Sequence, residues 1–421
     1  MAGGKRVLMV APTPYFSDRG CHVQIYEVAH SQKSLGNDVR IVTYHLGHDL
    51  GDIPTSRTMR LPWYDKRDAG PSAHKFYLDA LLMEKTLRVA LAYKPDILHA
   101  HMHEGAALAL PIARLLRLPL VLDLQGSLTG ELVNHKFIRK DRLPYRLLRA
   151  AEERIHHHVD AMLMWTYIRE SLQSMFAFDQ RKVFPVDYGV DPQVFYQHPK
   201  ATLDDLYAEL SLPRDREIVV YLGVLSAYQG VDCLLEAIPA VLKRLPDTHF
   251  LLMGYPNEAQ YRERASALGI DGHVTLPGRI DYTQAARYLS LGDVAVSAKM
   301  TPMEGNGKLL NYLACGLPTV AFDLPGNLAT LKDVGTFAPL GDSAALATGI
   351  AELLSDDTRR ADLSRRSRLL AETCYSWDVV GRVIDSVYDE VIARRYPQRA
   401  VPVAGAGAGP IESVPAKGER W

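Results

Sequence analysis

The chain has 421 residues, which is too long for one compact core and predicts two domains. Its 47% hydrophobic and 23% charged residues are ordinary for a globular protein, and its formal net charge of -1 gives no general reason to expect a nucleic-acid partner. Its 4 cysteines form no CxxC pair, which argues against a disulfide framework or a zinc site.

The N-terminus shows no export signal, because its apolar run at residues 7–12 is too short for one. No stretch of the chain reaches the ~18 uninterrupted apolar residues that a membrane-spanning helix needs. We therefore expect a cytoplasmic protein whose thiols stay reduced.

Short apolar strands alternate with helical stretches through the first half of the chain. The predicted strands are residues 6–11, 38–43, 96–100, 119–123 and 161–165, and residues 23–35 are typical of the intervening helices. Strands that are apolar throughout and separated by helices indicate a parallel sheet.

The same alternation starts again in the second half. The predicted strands are residues 217–222, 249–253, 273–276, 294–297 and 319–322. The apolar periodicity lapses between the two series, at residues 184–199, where we place a hinge. The sequence therefore predicts an α/β fold of two doubly wound, Rossmann-like parallel-sheet domains that face each other across a cleft.

Residues 304–320 combine a carboxylate, a glycine-rich turn, a short helix and a buried strand. Glycines 305 and 307 leave backbone N–H groups open to a ligand, and Lys308 adds a positive charge beside them. The start of a helix favours a phosphate or an oxyanion. Any βαβ unit with a tight turn is the alternative interpretation of this turn taken alone.

These residues also carry a resemblance. The Glu-Gly-x-Gly turn, the Ala-Cys-Gly helix end and the Leu-Pro-Thr-Val-Ala strand are similar to the donor-site signature of retaining glycosyltransferases of the GT-B fold, in particular family 4. Matches at residues 187–191, 221–237, 277–279 and 291–294 extend the resemblance over about residues 5–396.

The resemblance implies an acceptor-side domain at residues 1–186, completed by a C-terminal helix at 377–396, and a donor-binding domain at 190–376. Residues 397–421 are rich in Ala, Gly and Pro, which predicts a disordered tail.

The sequence departs from the family where the nucleotide diphosphate is held. The family usually has an Arg and a Lys in the loop after Gly223, and Val224 and Gln229 stand at the matching positions. A diphosphate leaving group needs positive charge or aligned N–H donors. Lys308, Lys299 and Arg279 are the nearby residues that could supply the missing positive charge.

Two further family positions differ. Asn311 matches the glutamate that holds the nucleotide ribose, and Gln125 matches the histidine that faces the donor sugar. Both amides keep their hydrogen-bonding ability, but neither titrates. In the first loop only Gly20 remains of the usual glycine pair, with Arg19 before it.

The run at residues 99–104 places three histidines along one strand, which superficially suits zinc. The family commonly has His-x-His here without a metal, so hydrogen-bonded histidines near the acceptor are the favoured interpretation. A second histidine run, at residues 156–158, cannot share one helix face and is predicted to lie on the surface.

Two stretches, residues 57–75 and 135–149, are basic and aromatic. Peripheral contact with an anionic membrane is one interpretation of them. A solvated loop and helix face is the alternative, and it is favoured.

The resemblance implies a retaining, metal-independent glycosyltransferase without a resident cofactor, which moves a sugar from an activated, nucleotide-diphosphate donor to a hydroxyl on a carbohydrate, a lipid-linked compound or a small molecule. The catalytic residues would be Glu304, Gln125 and Glu131. The donor-binding residues would be Gly20, Gly223, Gln229, Arg279, Gly305, Asn306, Gly307, Lys308 and Asn311. The acceptor-side residues would be Arg19, His101, His103 and Ser127.

Two alternatives stay open at this point. The missing Arg and Lys allow a transferase or phosphorylase that uses a sugar phosphate or another non-standard donor. A noncatalytic sugar- or nucleotide-binding relative is the other, because a fold does not by itself imply an activity.

Overall fold

A computed structural model describes residues 4–16, 20–65, 74–134, 137–302 and 305–397 of the protein. Arg19, Glu304 and all of the predicted tail except Pro397 lie outside these residues. Within the described residues, no helix is both long and apolar enough to cross a membrane.

The first sheet has seven parallel strands in the order β3-β2-β1-β4-β5-β6-β7. The strands are β1 Arg6–Ala11, β2 Asp38–Thr43, β3 Thr55–Arg57, β4 Ile97–His101, β5 Leu120–Leu124, β6 Ala161–Trp165 and β7 Val183–Val186. The helices that cover it are α1 Gly20–Ser34, α2 Lys75–Tyr93, α3 Met102–Leu116, α4 Leu128–Asn134, α5 Leu143–His158 and α6 Arg169–Met175. β4, β5 and β6 are buried along their whole length, because helices pack on both faces of the sheet.

The second sheet has six parallel strands in the order β10-β9-β8-β11-β12-β13. The strands are β8 Glu217–Leu222, β9 Thr248–Met253, β10 Val274–Gly278, β11 Val294–Ser297, β12 Thr319–Phe322 and β13 Gly335–Ala338. The helices after β7 are α7 Asp204–Glu209, α8 Val231–Arg244, α9 Glu258–Ala267, α10 Ala285–Leu289, α11 Lys308–Ala314, α12 Pro325–Leu331, α13 Ser343–Ser355, α14 Asp357–Cys374 and α15 Trp377–Arg395.

These two sheets confirm the predicted fold class of two doubly wound, parallel α/β units. In each sheet the strand order reverses at one point, between β1 and β4 in the first and between β8 and β11 in the second. Ligands of such sheets bind at this switch point, outside the carboxyl ends of the strands. The loops after β1, β4, β8 and β11 are therefore the first candidates for a site.

The last helix packs on the first sheet. α15 contributes Trp377, Ile384 and Tyr388 to the core that also contains β1 and β4. α15 is also bonded to α1 and to the residue before β1. Gln32 on α1 donates a hydrogen bond from Nε2 to the carbonyl of Gly381 at 2.8 Å, and Lys5 pairs with Asp385 at 2.7 Å.

The chain passes between the two sheets at two places that lie side by side. Val190 donates its N–H to the carbonyl of Tyr375 at 2.8 Å, and Trp377 donates its N–H to the carbonyl of Val190 at 3.1 Å. A Cβ atom on Gly189 would lie 2.4 Å from the ring of Trp377. Position 189 in the predicted hinge therefore requires glycine because the two crossing segments approach so closely.

Candidate donor and acceptor site

The predicted donor loops lie at the switch point of the second sheet. Gly223 follows β8, and Lys308 begins α11 after the loop that leaves β11. The Lys308 Nζ lies 2.9 Å from Gln229 Oε1, 3.4 Å from the Tyr221 hydroxyl and 4.4 Å from the centroid of the Tyr221 ring. The structure thus brings together a lysine and the glutamine that replaces one of the two expected cations.

Gly223 makes room for this lysine. A Cβ atom at position 223 would come within 2.7 Å of the Lys308 Nζ. Burial, with the ammonium of Lys299 nearby, lowers the pKa of Lys308 to about 7. Within the described residues its hydrogen-bond acceptors are a neutral amide and a phenol, so an anion that binds here would meet an amine not neutralised by a carboxylate.

The glycine-rich turn is held from beneath. Asn306 donates from Nδ2 to Ser297 Oγ at 2.9 Å and to Asn327 Oδ1 at 2.8 Å. The buried Lys299 donates from Nζ to the Gly305 carbonyl at 2.8 Å. The side chains of Asn306 and Lys299 therefore shape the turn, and the Lys299 ammonium, a candidate for the missing phosphate clamp, is already bound to the backbone.

The remaining predicted donor residues lie on three separate elements. Asn311 is half-buried on α11, and its side chain makes no hydrogen bond within the described part of the chain. The guanidinium of Arg279 lies 5.3 Å over the ring of Tyr255, after β10, and β10 is two strands away from β8. Gly20 is the first residue of α1, at the switch point of the first sheet.

On the first sheet, Gln125 is tethered to a buried carboxylate. Its Nε2 donates to Asp123 Oδ2 at 2.7 Å, the same oxygen that lies 2.7 Å from His101 Nδ1, and Trp165 Nε1 donates to the other oxygen. Burial opposes the charge of Asp123, but the hydrogen bond from His101 and the neighbouring imidazoles hold its pKa below the ordinary value. Asp123 therefore fixes the orientation of the Gln125 amide and leaves the carbonyl oxygen available to a ligand.

His99, His101 and Asp123 place their ligand atoms within 4.8 Å of one another, which raises the metal alternative again. The two imidazoles are stacked, with centroids 4.5 Å apart and planes inclined by 24°. Nearly parallel rings direct their in-plane lone pairs along nearly parallel lines, so these do not converge on one ion as metal coordination requires. The arrangement favours a hydrogen-bonded cluster, in which His99 also contacts the Tyr388 hydroxyl.

The predicted acceptor-side residues lie deeper than the sequence suggested. His101, His103 and Ser127 are all buried, because they face the layer between the sheet and its helices. The prediction that all three histidines at 156–158 lie on the surface was wrong for His156. Its Nε2 lies 2.8 Å from His103 Nε2, and the rings of Phe176 and Phe178 cover it.

Sequence reasoning did not identify two buried carboxylates in this region, Asp123 and Glu152. Asp123 stands near the carboxyl end of β5, in the segment that provides Gln125, so a charged residue inside an apolar strand was a signal. Glu152 lies in the middle of α5 and gives no such signal in the sequence. Glu131 lies on α4, and its side chain is outside the described part of the structure.

Both basic stretches present apolar side chains to solvent. Phe137 before α5 and Leu143 and Leu147 in its first two turns are 60%, 64% and 61% exposed. Trp63 in the other stretch is 72% exposed, and Phe76, which directly follows that stretch in α2, is 84% exposed. Arg142 and Arg146 are exposed beside the first group. These surfaces combine the apolar and cationic groups that an amphipathic contact needs.

Two family models match the chain, and together they cover most of it. The Glycosyl transferase 4-like domain matches residues 19–188, and Glycosyl transferases group 1 matches residues 204–370. The chain is 25% identical over 406 residues to the phosphatidyl-myo-inositol mannosyltransferase of Mycobacterium leprae, a match that covers 92% of this chain and 97% of the relative. It is 25% identical over 300 residues to the alpha-D-kanosaminyltransferase of Streptomyces kanamyceticus, covering 70% and 77%.

Solved structures show the same fold. The sucrose-phosphate synthase of Thermosynechococcus elongatus aligns with a TM-score of 0.73 at 18% identity, over 93% of this chain and 100% of that one. Anabaena HepE in complex with UDP aligns with a TM-score of 0.71 at 15% identity, over 91% and 100%. The chain is therefore a glycosyltransferase of the GT-B fold and belongs to glycosyltransferase family 4.

Proposed function

We propose that this glycosyltransferase takes its sugar from a nucleoside-diphosphate donor and transfers it with retention of configuration and without a metal ion. The observation that carries the proposal is the Lys308 ammonium between Gly223 and Gln229, at the switch point of the second sheet. It supplies positive charge where the family's Arg and Lys are absent. The UDP complex of HepE, a protein of the same fold, supports this class of donor.

The proposed donor site is built on the second sheet. Lys308 neutralises part of the diphosphate charge, and the N–H groups of Gly305 to Gly307 face the donor. Glu304 accepts hydrogen bonds from hydroxyls of the donor sugar, and Asn311 bonds the ribose through its amide. Asn306 contributes indirectly, since its side chain is used to hold the turn.

In the proposed reaction the bond between the anomeric carbon and the diphosphate oxygen breaks, and a bond from that carbon to the acceptor oxygen forms on the same face. The acceptor proton passes to the departing phosphate oxygen, so the products are the glycoside and the nucleoside diphosphate. Gln125, on the β5–α4 loop, and Glu131, on α4, face the sugar and acceptor from the first domain. Lys308 favours this step because it stabilises the charge that develops on the leaving group.

The domain limits that go with this proposal are residues 1–186 with the helix at 377–396 for the acceptor side and 190–376 for the donor side. The bridge between Val190 and Ser376, where the chain crosses twice, supports these limits. Closure about them would exclude water from the donor.

For the acceptor we propose a hydroxyl on a carbohydrate or a lipid-linked compound, reached while the first domain rests on an anionic membrane. The mycobacterial relative, named for phosphatidyl-myo-inositol, supports a lipid acceptor. The exposed apolar side chains among the arginines of α5 support the membrane contact. Sedimentation with phosphatidylglycerol vesicles, but not with phosphatidylcholine vesicles, is the expected result.

A sugar phosphate as donor is the second candidate, and Val224 is the observation that favours it. This side chain, at the position of the missing Arg, is apolar and exposed, so the loop after β8 offers a diphosphate no cation at that position.

Thermal-shift measurements distinguish the two donors, because a ligand that binds only the folded protein raises its melting temperature. Nucleoside diphosphates and sugar nucleotides should raise it, and sugar phosphates should not. The anomeric configuration of the product by NMR, and activity after treatment with EDTA, then test retention and metal independence. Stabilisation by sugar phosphates alone would reverse our choice of donor.

A further inference from the structure

A buried carboxylate lies beneath the loop that joins β5 to α4. Glu152, on α5, is 1% exposed. It accepts hydrogen bonds from Ser127 Oγ at 3.0 Å, from the backbone N–H of Thr129 at 3.3 Å and from the Thr129 hydroxyl. Ser127 Oγ in turn accepts from the backbone N–H of Gly130 at 3.0 Å. One side chain thus organises the first turn of α4.

Within the described residues, neutral groups provide the hydrogen bonds to this carboxylate. In the same part of the chain it pairs with the titratable side chain of His103, whose Nδ1 lies 3.6 Å away, and burial together with His156 lowers the pKa of His103 to about 3. The ring of His103 is therefore uncharged at neutral pH. Arg149, one turn before Glu152, places its guanidinium 3.5 Å from the centroid of the Phe176 ring.

A carboxylate in this setting costs stability. Burial raises the pKa of Glu152, and the hydrogen bonds from Thr129 and Ser127 only partly oppose this effect. An apolar or amide side chain of similar volume would avoid the cost of burying a charge. Because the carboxylate costs stability, we look for its role in the hydrogen bonds that it accepts from Ser127 and Thr129.

We propose that Glu152 is a positioning residue for sugar transfer, which fixes the β5–α4 loop and the first turn of α4 so that Gln125 and the helix backbone that carries Glu131 keep their places opposite the donor. Gln125 lies two residues before Ser127, and Glu131 directly follows Gly130. Gln125 is tethered through Asp123 on one side, and the hydrogen bonds to Glu152 fix the loop on the other. The inference rests on the proposed function, since it assigns the loop a role in that reaction.

Glu152→Gln tests this role because it keeps the shape of the side chain and changes its hydrogen bonding. The amide accepts at one atom only, while Ser127 and Thr129 together offer three donors to the two carboxylate oxygens. Glu153→Gln is the matched control. Glu153 is the next residue of α5, exposed, with a carboxylate 3.4 Å from Arg149.

The measurements are hydrogen exchange of the peptide 125–134, the affinities for UDP and GDP by calorimetry, and kcat and KM with UDP-glucose and GDP-mannose. In Glu152→Gln we expect faster exchange in this peptide and a kcat lower by about 10-fold or more, because displacing a reacting group by about 1 Å has effects of this size or larger. The nucleotide affinities should not change, since the nucleotide lies on the second domain. Glu153→Gln should behave as the wild type does.

Unchanged exchange in Glu152→Gln, or faster exchange with an unchanged kcat, would overturn the inference. If this variant does not fold, Thr129→Val decides, because it removes one donor to Glu152 and should reproduce both effects in part. A Thr129→Val protein that matches the wild type in exchange and in kcat would also overturn it. A wild-type protein that transfers no sugar from either nucleotide donor counts against the proposed function, while the exchange measurement still decides whether Glu152 holds the loop.

Discussion

Replacing Lys308 by methionine removes one charge at the proposed diphosphate site and keeps most of the side-chain volume. The lost ammonium lies 2.9 Å from Gln229 Oε1, in a setting where burial makes its charge effective. A hydrogen bond to a charged group contributes about 1.5–3 kcal/mol. Binding of a nucleoside diphosphate should therefore weaken by about 10- to 150-fold, and binding of the bare nucleoside should not change.

The pH dependence gives an independent test of the same lysine. Since the pKa of Lys308 is lowered to about 7, the free protein loses this charge as the pH rises above that value. A phosphate binds the charged form, so its affinity should fall with rising pH. Above the lowered pKa the free amine is mostly neutral and must take up a proton on binding, so the fall approaches tenfold per pH unit there. For folding, the depressed pKa makes the charged amine unfavourable below pH 7, and this penalty disappears as the pH approaches the ordinary value of 10.5.

Calorimetry with UDP, GDP, uridine and guanosine, on both sides of neutral pH and in buffers of different ionisation enthalpy, measures the affinity and the proton uptake together. Lys243→Met, at an exposed position on α8, is the control for loss of one positive charge. Equal losses for nucleosides and diphosphates, or the same pH dependence in Lys308→Met as in the wild type, would refute the assignment of Lys308 to the phosphates.

Four further tests have defined outcomes. Glu304→Gln should lower turnover at least ~10-fold with an unchanged circular dichroism spectrum, and normal kinetics would remove Glu304 from the site. Asp123→Asn should lower the free energy of unfolding by about 3 kcal/mol in urea titrations at neutral pH, because the buried groups of His101, Gln125 and Trp165 lose the charged oxygens that accept from them. The lowered pKa means that Asp123 stabilises the fold above about pH 4 and that this contribution is lost in acid. A variant as stable as the wild type at neutral pH would contradict the network. Saturating donor should reduce the radius of gyration in small-angle scattering, and an unchanged profile would indicate a preformed cleft. Removal of residues 398–421 should leave activity intact, and lost activity would assign a role to the tail.

The strands could be predicted because each central strand is buried on both faces and is therefore a continuous apolar run. Predicted and observed limits agree within two residues for all ten predicted strands. β3, β7 and β13 were not predicted. β3 has 3 residues, β7 contains Pro185 and β13 begins with Gly335, and all three lie at sheet edges where the need for apolar side chains is weaker.

The site was predictable only where neighbouring residues form it. The turn that leads into Lys308 is local, and its glycines show in the sequence. The contact between His103 and His156 joins residues 53 positions apart, and Glu152 reaches Ser127 across 25 positions. Contacts of this kind depend on how α3 and α5 pack together, which periodicity does not encode, so the burial of His103 and Ser127 could not be foreseen.

The position of α15 has a consequence for biosynthesis. Its residues complete the core of the first sheet, but the ribosome makes them only after the whole second sheet has been synthesised. The surface of the first sheet that α15 covers therefore stays exposed while the second half of the chain is synthesised and folds. We expect nascent fragments that end before Trp377 to depend on chaperones.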